Sequence, residues 1–349
     1  MTQQPLISVI IPVFNGGSHF LRCLSALRQS TFADWELLVI DDGSTDGSGL
    51  QARHFGARLF ATGGQYGPAA ARNLGARLAH GRYLFFTDAD CAVHSDTLAR
   101  IAAEFAADPG LDALFGSYDD APGATNFVAQ YKNLFHHYVH QHGNAEASTF
   151  WTGCGCIKRS RFLALGGFDV QRYHRPAIED IDLGYRLKKA GGRIRLVKEV
   201  QVQHLKAWTL PLLLKSDIFD RGIPWTRLIL RDKIFASDLN LQTHNRVSVV
   251  AVYGLLLAAL VSWWQPLGLL PAAGLAALLV WLNWELYRFF YHRRGAWFAL
   301  RVVPLHWLYY SYNAVAFGLG LLLHWRDQLW AEAVPPPEPL ADGAETDGH

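Results

Sequence analysis

Cysteine is scarce in this chain. Four residues in 349 (Cys23, Cys91, Cys154 and Cys156) are too few and too irregularly spaced for a disulfide framework. Cys154-Gly-Cys156 also lacks the two-residue spacer of zinc and redox motifs, so all four read as reduced packing residues. The start, Met1-Thr-Gln-Gln-Pro5, carries neither a basic leader nor an apolar run long enough for a signal peptide, which places the first part in the cytosol. Charge is missing from the other end. Up to Arg246 there are 27 basic and 23 acidic residues; beyond it only 5 and 7 remain, and from Val247 to Trp325 the chain is almost wholly apolar. A net charge of +2 with that distribution excludes a nucleic-acid binder driven by bulk charge, a disordered chain and an ordinary soluble protein. What remains is a membrane enzyme or a membrane-anchored binder.

The first 205 residues alternate strand and helix patterns. Leu6 to Val13 and Trp35 to Ile40 are unbroken apolar runs rich in branched residues, as strands covered on both faces require. Arg58 to Ala61, Tyr83 to Phe86 and Ala113 to Ser117 continue the series. Helical patterns at His19 to Gln29, Pro68 to Ala79 and Ser95 to Ala106 fall between. The rhythm predicts an α/β domain with a mostly parallel sheet wound by helices.

Ligands of such sheets bind beyond the carboxyl ends of the strands. There the first strand supplies Pro12-Val-Phe14-Asn15, the second Asp41-Asp42-Gly-Ser-Thr-Asp46, and the fourth Thr87-Asp88-Ala-Asp90. Acidic pairs at two strand ends suit a nucleotide and a divalent cation, one carboxylate meeting base or ribose and another ligating metal through oxygen. Taken singly, each pair equally describes a turn or a helix cap; together they are far more specific.

The ordered blocks SVIIPVFNG (8 to 16), LLVIDDGSTDGS (37 to 48), GPAAARNLGA (67 to 76), FFTDADC (85 to 91), TGCGCIKRSRFLALGGFD (152 to 169) and EDIDLGYRLKKAGGRI (179 to 194) resemble the family 2 glycosyltransferases. These are inverting enzymes of the A-type, Rossmann-like nucleotide-diphosphosugar fold. The resemblance spans roughly Leu6 to His204. It implies a nucleotide diphosphosugar donor contacted by Pro12, Phe14, Asn15, Asp41, Asp42, Arg72 and Asp88. It also implies Mg²⁺ or Mn²⁺ on Asp90, with Asp88 near the ribose or sharing the metal, and with His204 completing the shell. A cation so placed stabilises the charge of the departing diphosphate. Asp180 takes the place of the general base that deprotonates the acceptor hydroxyl as it attacks in line, so a single displacement inverts the sugar. Glu179 and Asp182 fall in supporting positions, and Trp151 with Gly153 beside the sugar and acceptor pocket. Gly16 departs from the pattern, since many relatives carry glutamate there. His136 and His140 share a helix spacing that could hold metal, but no carboxylate lies close in sequence, and an acceptor-side lid or interface helix is the better reading.

Between Arg186 and Lys233, 12 basic and 4 acidic residues interleave with large apolar ones, which suits amphipathic helices over about 206–246 at an anionic membrane surface. Pro211 and Pro224 divide them into at least two short helices. Arg221 and Trp225, four apart, would then share a face able to receive a phosphorylated or glycosylated lipid. Three transmembrane spans are expected, at 247–264, 267–284 and 302–324, with a basic cytosolic loop at Arg288, Arg293, Arg294 and Arg301. The acidic, proline-rich tail, 326–349, would be disordered and across the membrane. The reading is a hexosyl- or N-acetylhexosaminyl-transferase of the bacterial-type inner membrane, acting on a lipid-linked acceptor at the cytosolic face. A processive polysaccharide synthase is less well matched, because Asp220-Arg-Gly-Ile-Pro-Trp225 stands where such relatives carry Gln-x-x-Arg-Trp. A non-catalytic scaffold is disfavoured by the intact acidic motifs. Sugar, nucleotide and oligomeric state are left open by the sequence.

Overall fold

The computed structural model describes residues 4–233 and 243–333. Its catalytic-side half alternates as the apolar runs require. β1 (Ile7–Val13), α1 (Gly17–Arg28), β2 (Trp35–Asp41), α2 (Ser48–Phe55), β3 (Arg58–Ala61), α3 (Pro68–Leu78) and β4 (Tyr83–Thr87) form a parallel unit. β5 (Cys91–Val93), α4 (Thr97–Ala107), β6 (Ala113–Tyr118), α5 (Phe127–His142), β7 (Cys154–Lys158), α6 (Arg159–Ala164), α7 (Glu179–Lys189) and β8 (Ile194–His204) complete one eight-stranded sheet. The strand order is β3-β2-β1-β4-β7-β6-β8-β5. Four neighbouring pairs are parallel, and β4–β7, β6–β7 and β5–β8 are antiparallel. β7 and β8 were not legible as apolar runs, because β7 holds three small or sulfur-bearing residues and β8 alternates.

The antiparallel insertions are what gather the site. β7 runs opposite to β4, so its entry, Trp151 to Gly153, lies at the exit of β4, where Asp88 and Asp90 stand. β5 pairs with the end of β8 and sets Cys91 opposite His204. The sheet is packed on both faces. Ile7, Val9 and Ile11 join Phe20, Leu24 and Leu98 on one side; Ile10, Leu38 and Phe86 join Ala71, Ala76 and Phe168 on the other. All four cysteines are buried and unpaired, as expected of packing residues.

Beyond the sheet, α8 (Leu210–Lys215), a π-helical segment (Ser216–Gly222) and α9 (Ile223–Asp232) follow one another without reversal, the linking residues staying in right-handed helical conformation. Pro211 and Pro224 each sit in a helical first turn, where no N–H partner is needed, so Pro224 marks a change of helix type and not a break. One face of this stretch packs on protein, while Leu210 and Phe219 on it stay exposed. Trp225 packs on Ile178, Tyr173 and Tyr185, and Arg231 donates to Asp182 at 2.8 Å, tying α9 to α7.

The remaining helices are α10 (Thr243–Val261), α11 (Leu269–Leu282) after a short 3₁₀ turn, α12 (Trp284–Arg294) and α13 (Ala296–Ala333). They correct the expectation of three spans. Among the described residues one helix, Thr243–Val261, is long and apolar enough to cross a membrane, or two if the pair Pro266–Leu282 and Trp284–Arg294, bent by 67°, is taken together. The third expected span lies inside α13, whose apolar run is interrupted by His306, Tyr309, Tyr310, Ser311, Tyr312 and Asn313. These polar groups face protein: Tyr312 donates to Asp217 at 2.7 Å and Tyr310 to Asn283 at 2.6 Å. Residues 326–333 continue α13, and the rest of the expected tail lies outside the described residues, as do 234–242 of the expected interfacial region.

Candidate active site

The loops after β1 and β2 are stitched to each other. Asn15 adopts a left-handed conformation (φ 50°), and its side-chain oxygen accepts from the Thr45 amide at 2.8 Å. Asp46 accepts from the Gly17 amide at 2.8 Å and caps α2 through Ser48. Phe14 is left 45% exposed at the rim beside half-buried Pro12. The two aspartates of β2 part company. Asp41 accepts from the Ser44 amide at 2.8 Å with one oxygen and keeps the other clear of hydrogen bonds among the described residues. Asp42 is buried and accepts from Thr62, Tyr66 and Gly67 at 2.9, 3.0 and 2.8 Å, so it shapes the loop that leads into α3. Gly67 closes that loop at φ 88°; a Cβ there would stand 2.5 Å from the His174 carbonyl oxygen.

Arg72 is the joint of the site. It is 4% exposed on α3 and donates one nitrogen to Asp88 at 2.6 Å and another to Glu179 at 2.8 Å. A single buried guanidinium thereby links the end of β4 to the start of α7. Glu179 is spent on this contact and on the Ala177 amide, 3.0 Å away. Its neighbour Asp180 faces the other way. One oxygen accepts from the Thr152 amide (3.1 Å) and hydroxyl (3.2 Å), and the other from the Ile181 amide at 2.8 Å. Burial, then repulsion from Glu179, pushes the Asp180 carboxyl up to about 6, against the pull of Thr152, Arg72 and Arg221. Asp182, by contrast, is fully buried between Arg186 and Arg231 at 2.7 and 2.8 Å and faces away from this pocket, an anchor for α9.

Asp90 and His204 face one another, carboxylate oxygen to Nε2, at 3.5 Å. His204 Nδ1 lies 2.5 Å from the Asn133 side-chain oxygen, to which Nδ1–H donates. The ring also stacks on Tyr118 at 4.3 Å. Burial alone would raise the Asp90 carboxyl, but its contact with His204, then Lys206 and His19, holds it down to about 2. Asp90, Cys91 and His204 are the one group of three candidate metal ligands among the described residues. The Cys91 thiol is buried with its pKa pushed well above the ordinary value, so it stays protonated and is no ligand for a hard cation. The oxygen and imidazole set that remains, with Asp88 alongside, fits Mn²⁺ or Mg²⁺, and imidazole favours Mn²⁺ of the two.

Trp151 forms the wall between these halves. Its indole lies over Gly153, where a Cβ would come within 2.3 Å of the ring. It is boxed by Tyr118, His136 and His140 at 4.8, 4.8 and 5.1 Å. His136 and His140 do share one face of α5, and that face packs on aromatic rings. Arg221, in the π-helical segment, is half-buried and makes no ion pair or hydrogen bond with another described residue. Its charge is nonetheless felt by Asp180, Tyr118, His136 and His140, so it points into the same hollow. Trp225 does not join it, since its indole donates to Tyr185 at 3.2 Å. Sequence reasoning missed Thr152, Asn133 and Tyr118. Thr152 sat inside a quoted block, whereas Asn133 and Tyr118 reach His204 only through tertiary packing.

The mixed α/β sheet thus carries acidic residues at two strand ends, a carboxylate–imidazole pair and a buried carboxyl at a helix start, beyond the carboxyl ends of its strands, where such sheets bind ligands. Residues 8–166 match the family described as "Glycosyl transferase family 2". Across 103 residues the chain is 38% identical to glycosyltransferase AglE of Haloferax volcanii, a match covering 28% of this chain and 34% of that protein. Over 129 residues it is 35% identical to a PGL/p-HBAD biosynthesis glycosyltransferase of Mycobacterium bovis, covering 35% and 50%. The matches thus span at most about half the length of these relatives. In structure the chain is similar to a mannosyltransferase of Pyrobaculum calidifontis solved with GDP-Man and Mn²⁺, at 19% identity and a TM-score of 0.53 over 95% of this chain and 89% of that one. Residues 8–166 are thus similar to that family, and the fold of the chain is similar to that of the mannosyltransferase.

Proposed function

We propose that the protein is a membrane-anchored, metal-assisted, inverting glycosyltransferase that moves a sugar from a nucleotide diphosphosugar to a lipid-linked acceptor at the cytosolic membrane face. The observation that carries this reading is the Arg72 joint. One guanidinium holds Asp88 and Glu179, and each has beside it in sequence a carboxylate suited to chemistry. Asp90 with His204 would hold the cation, and a cation there supplies charge stabilisation to the leaving diphosphate. Asp41 and the exposed Phe14 rim flank the place for base and ribose, while Asp42 contributes by ordering the loop beneath them.

Asp180 is held at a fixed angle by Thr152 and Ile181 and has a pKa near 6, so at neutral pH it is ionised yet basic enough to take a hydroxyl proton. Attack assisted by Asp180 from one face, with the diphosphate leaving towards Asp90 on the other, inverts the anomeric centre in one step. Arg221 is an uncommitted guanidinium beside that base, which favours an acceptor bearing phosphate. The stacked wall of Trp151 suits a sugar face.

The donor is identified by melting the detergent-solubilised protein with a panel of uridine and guanosine diphosphosugars, with and without Mn²⁺. A ligand that binds only the folded form raises the melting temperature. One nucleotide sugar stabilising the protein in a Mn²⁺-dependent manner supports the reading, and no stabilisation by any of them contradicts it.

A further inference from the structure

The helices after residue 242 divide into an exposed hairpin and a strut. From Val247 to Trp284, 38 residues carry no charge. α10 runs outward, Trp263-Trp264-Gln265-Pro266 forms the tip, and α11 returns. Only 17% of the apolar window of α10 is buried. Val250, Trp263, Trp264, Leu267, Leu270 and Trp281 are each more than 70% exposed. A surface of that extent on a monomer marks an apolar partner. The length suits insertion into a bilayer: the uncharged part of α10 from Val247 rises about 22 Å, and the tip beyond Val261 extends it towards the hydrocarbon thickness of about 30 Å. Tryptophans stand at the tip and again at the base (Trp281, Trp284), where the ring can sit at head-group level. At the base polar side chains meet, with Asn283 donating to Ser248 at 3.2 Å and Tyr310 donating to Asn283.

α13 is different, because its start touches α5 of the catalytic domain and its end touches α9, which is tied to that domain. Near the start, Phe298 packs edge-on against Phe127 at 5.0 Å and Arg301 lies over the same ring at 4.0 Å. Midway, Tyr312 donates to Asp217, which Lys132 of α5 also binds at 2.6 Å. Near the end, Ala316 and Gly320 meet Gly222 and Thr226 so closely that a Cβ on either glycine would stand 2.7 or 2.6 Å from its neighbour. Arg227 then pairs with Asp327. α5 is in turn bound to β6 through His137 and His140, and α9 to α7 through Arg231. A helix fixed to the same polar domain from residue 298 to 327, about 44 Å of rise, does not leave that domain to cross a bilayer.

We infer that the α10–α11 hairpin is the membrane-inserted element of this protein, and that α13 is a non-spanning strut with both of its ends on the same side of the bilayer as the catalytic domain. The partner is the lipid hydrocarbon, entered from the catalytic face, with Arg246 and Arg288 left at that face. The inference shares with the proposed function only its bilayer, and the test below reads sidedness, not turnover, so the two fail separately.

The native cysteines are buried, which leaves single introduced cysteines as clean reporters. Three full-length variants are compared in sealed membrane vesicles with a membrane-impermeant maleimide: Ser25→Cys on the exposed side of α1, Gln265→Cys at the hairpin tip, and a cysteine appended after His349. Ser25 and Gln265 are both exposed. In vesicles that label Ser25→Cys, the appended cysteine is expected to label equally, and Gln265→Cys at least about tenfold less until detergent is added, since the bilayer shields it. Protection of the appended cysteine would show that α13 crosses and overturn the inference. Labelling of Gln265→Cys like Ser25→Cys without detergent would overturn it too, placing the hairpin outside the bilayer, as in a contact between copies.

Discussion

Replacing Asp180 with asparagine tests whether the base is held at a cost to the fold. In the folded chain its pKa is raised from 3.8 to about 6. A carboxyl whose pKa rises on folding binds its proton more tightly in the folded chain than in the unfolded one. Folding therefore becomes harder as pH climbs from about 3.8 to about 6, and the penalty stays constant above that. Two pH units correspond to about 3 kcal/mol at most. Asparagine removes the charge but turns a nitrogen towards either Thr152 or Ile181, forfeiting a hydrogen bond of about 1 kcal/mol. A net gain of about 1–2 kcal/mol at pH 8 follows, roughly 2–8 °C in melting temperature. At pH 4 or below the gain disappears and only the lost hydrogen bond remains. Turnover moves oppositely, falling about 10²–10⁴-fold with donor affinity within a few fold. Differential scanning fluorimetry of both proteins in detergent at pH 4 and pH 8, beside steady-state kinetics, gives all three numbers. Equal melting differences at the two pH values would refute the strained-base reasoning, as would turnover retained within about tenfold.

Asp90→Ala and His204→Ala should each abolish stabilisation of the donor complex by Mn²⁺, measured by the same melting assay; an unchanged metal response would remove them from the cation site. Arg72→Met leaves Glu179 and Asp88 without their cation, costing about 3–5 kcal/mol in denaturant unfolding. It also shifts the acidic limb of kcat/KM above pH 6, because Arg72 helps hold Asp180 down, and Arg72→Lys should restore part of both. An unmoved pH profile would make Arg72 purely structural. Arg221→Lys keeps the charge but loses the two-pronged fork, so KM for a phosphorylated acceptor should rise about tenfold while donor KM holds; an unchanged acceptor KM would return Arg221 to the role of a surface cation.

The strands that carry the site were legible because Leu6 to Val13 and Trp35 to Ile40 are buried on both faces and cannot alternate. The acidic ends of β2 and β4 were legible as chemistry, but not how each carboxylate is used. Asp41 and Asp42 are adjacent in sequence, yet one turns to Ser44 and the start of α2 and the other into the loop of Gly67. Asp182 likewise lies among the acidic residues that start α7, two places after Asp180, and helical geometry turns it to the face that meets Arg186 and Arg231. Apolarity alone over-counted the spans. Tyr310 and Tyr312 count as hydrophobic in composition, but their hydroxyls bind Asn283 and Asp217, contacts that belong to the tertiary structure and leave no periodic trace. Arg221 and Trp225 were paired by their spacing of four. The π-helical segment ends between them, and the indole turns to Tyr185.

The most direct test of the proposed chemistry is the anomeric configuration of the transferred sugar, read by proton NMR on the product made by the detergent-solubilised protein from the identified donor and a phosphorylated lipid acceptor. The account predicts the configuration opposite to that of the donor, formed only with acceptor and metal present and not by Asp180→Asn. Retained configuration, or nucleotide release that proceeds equally without acceptor, would contradict it.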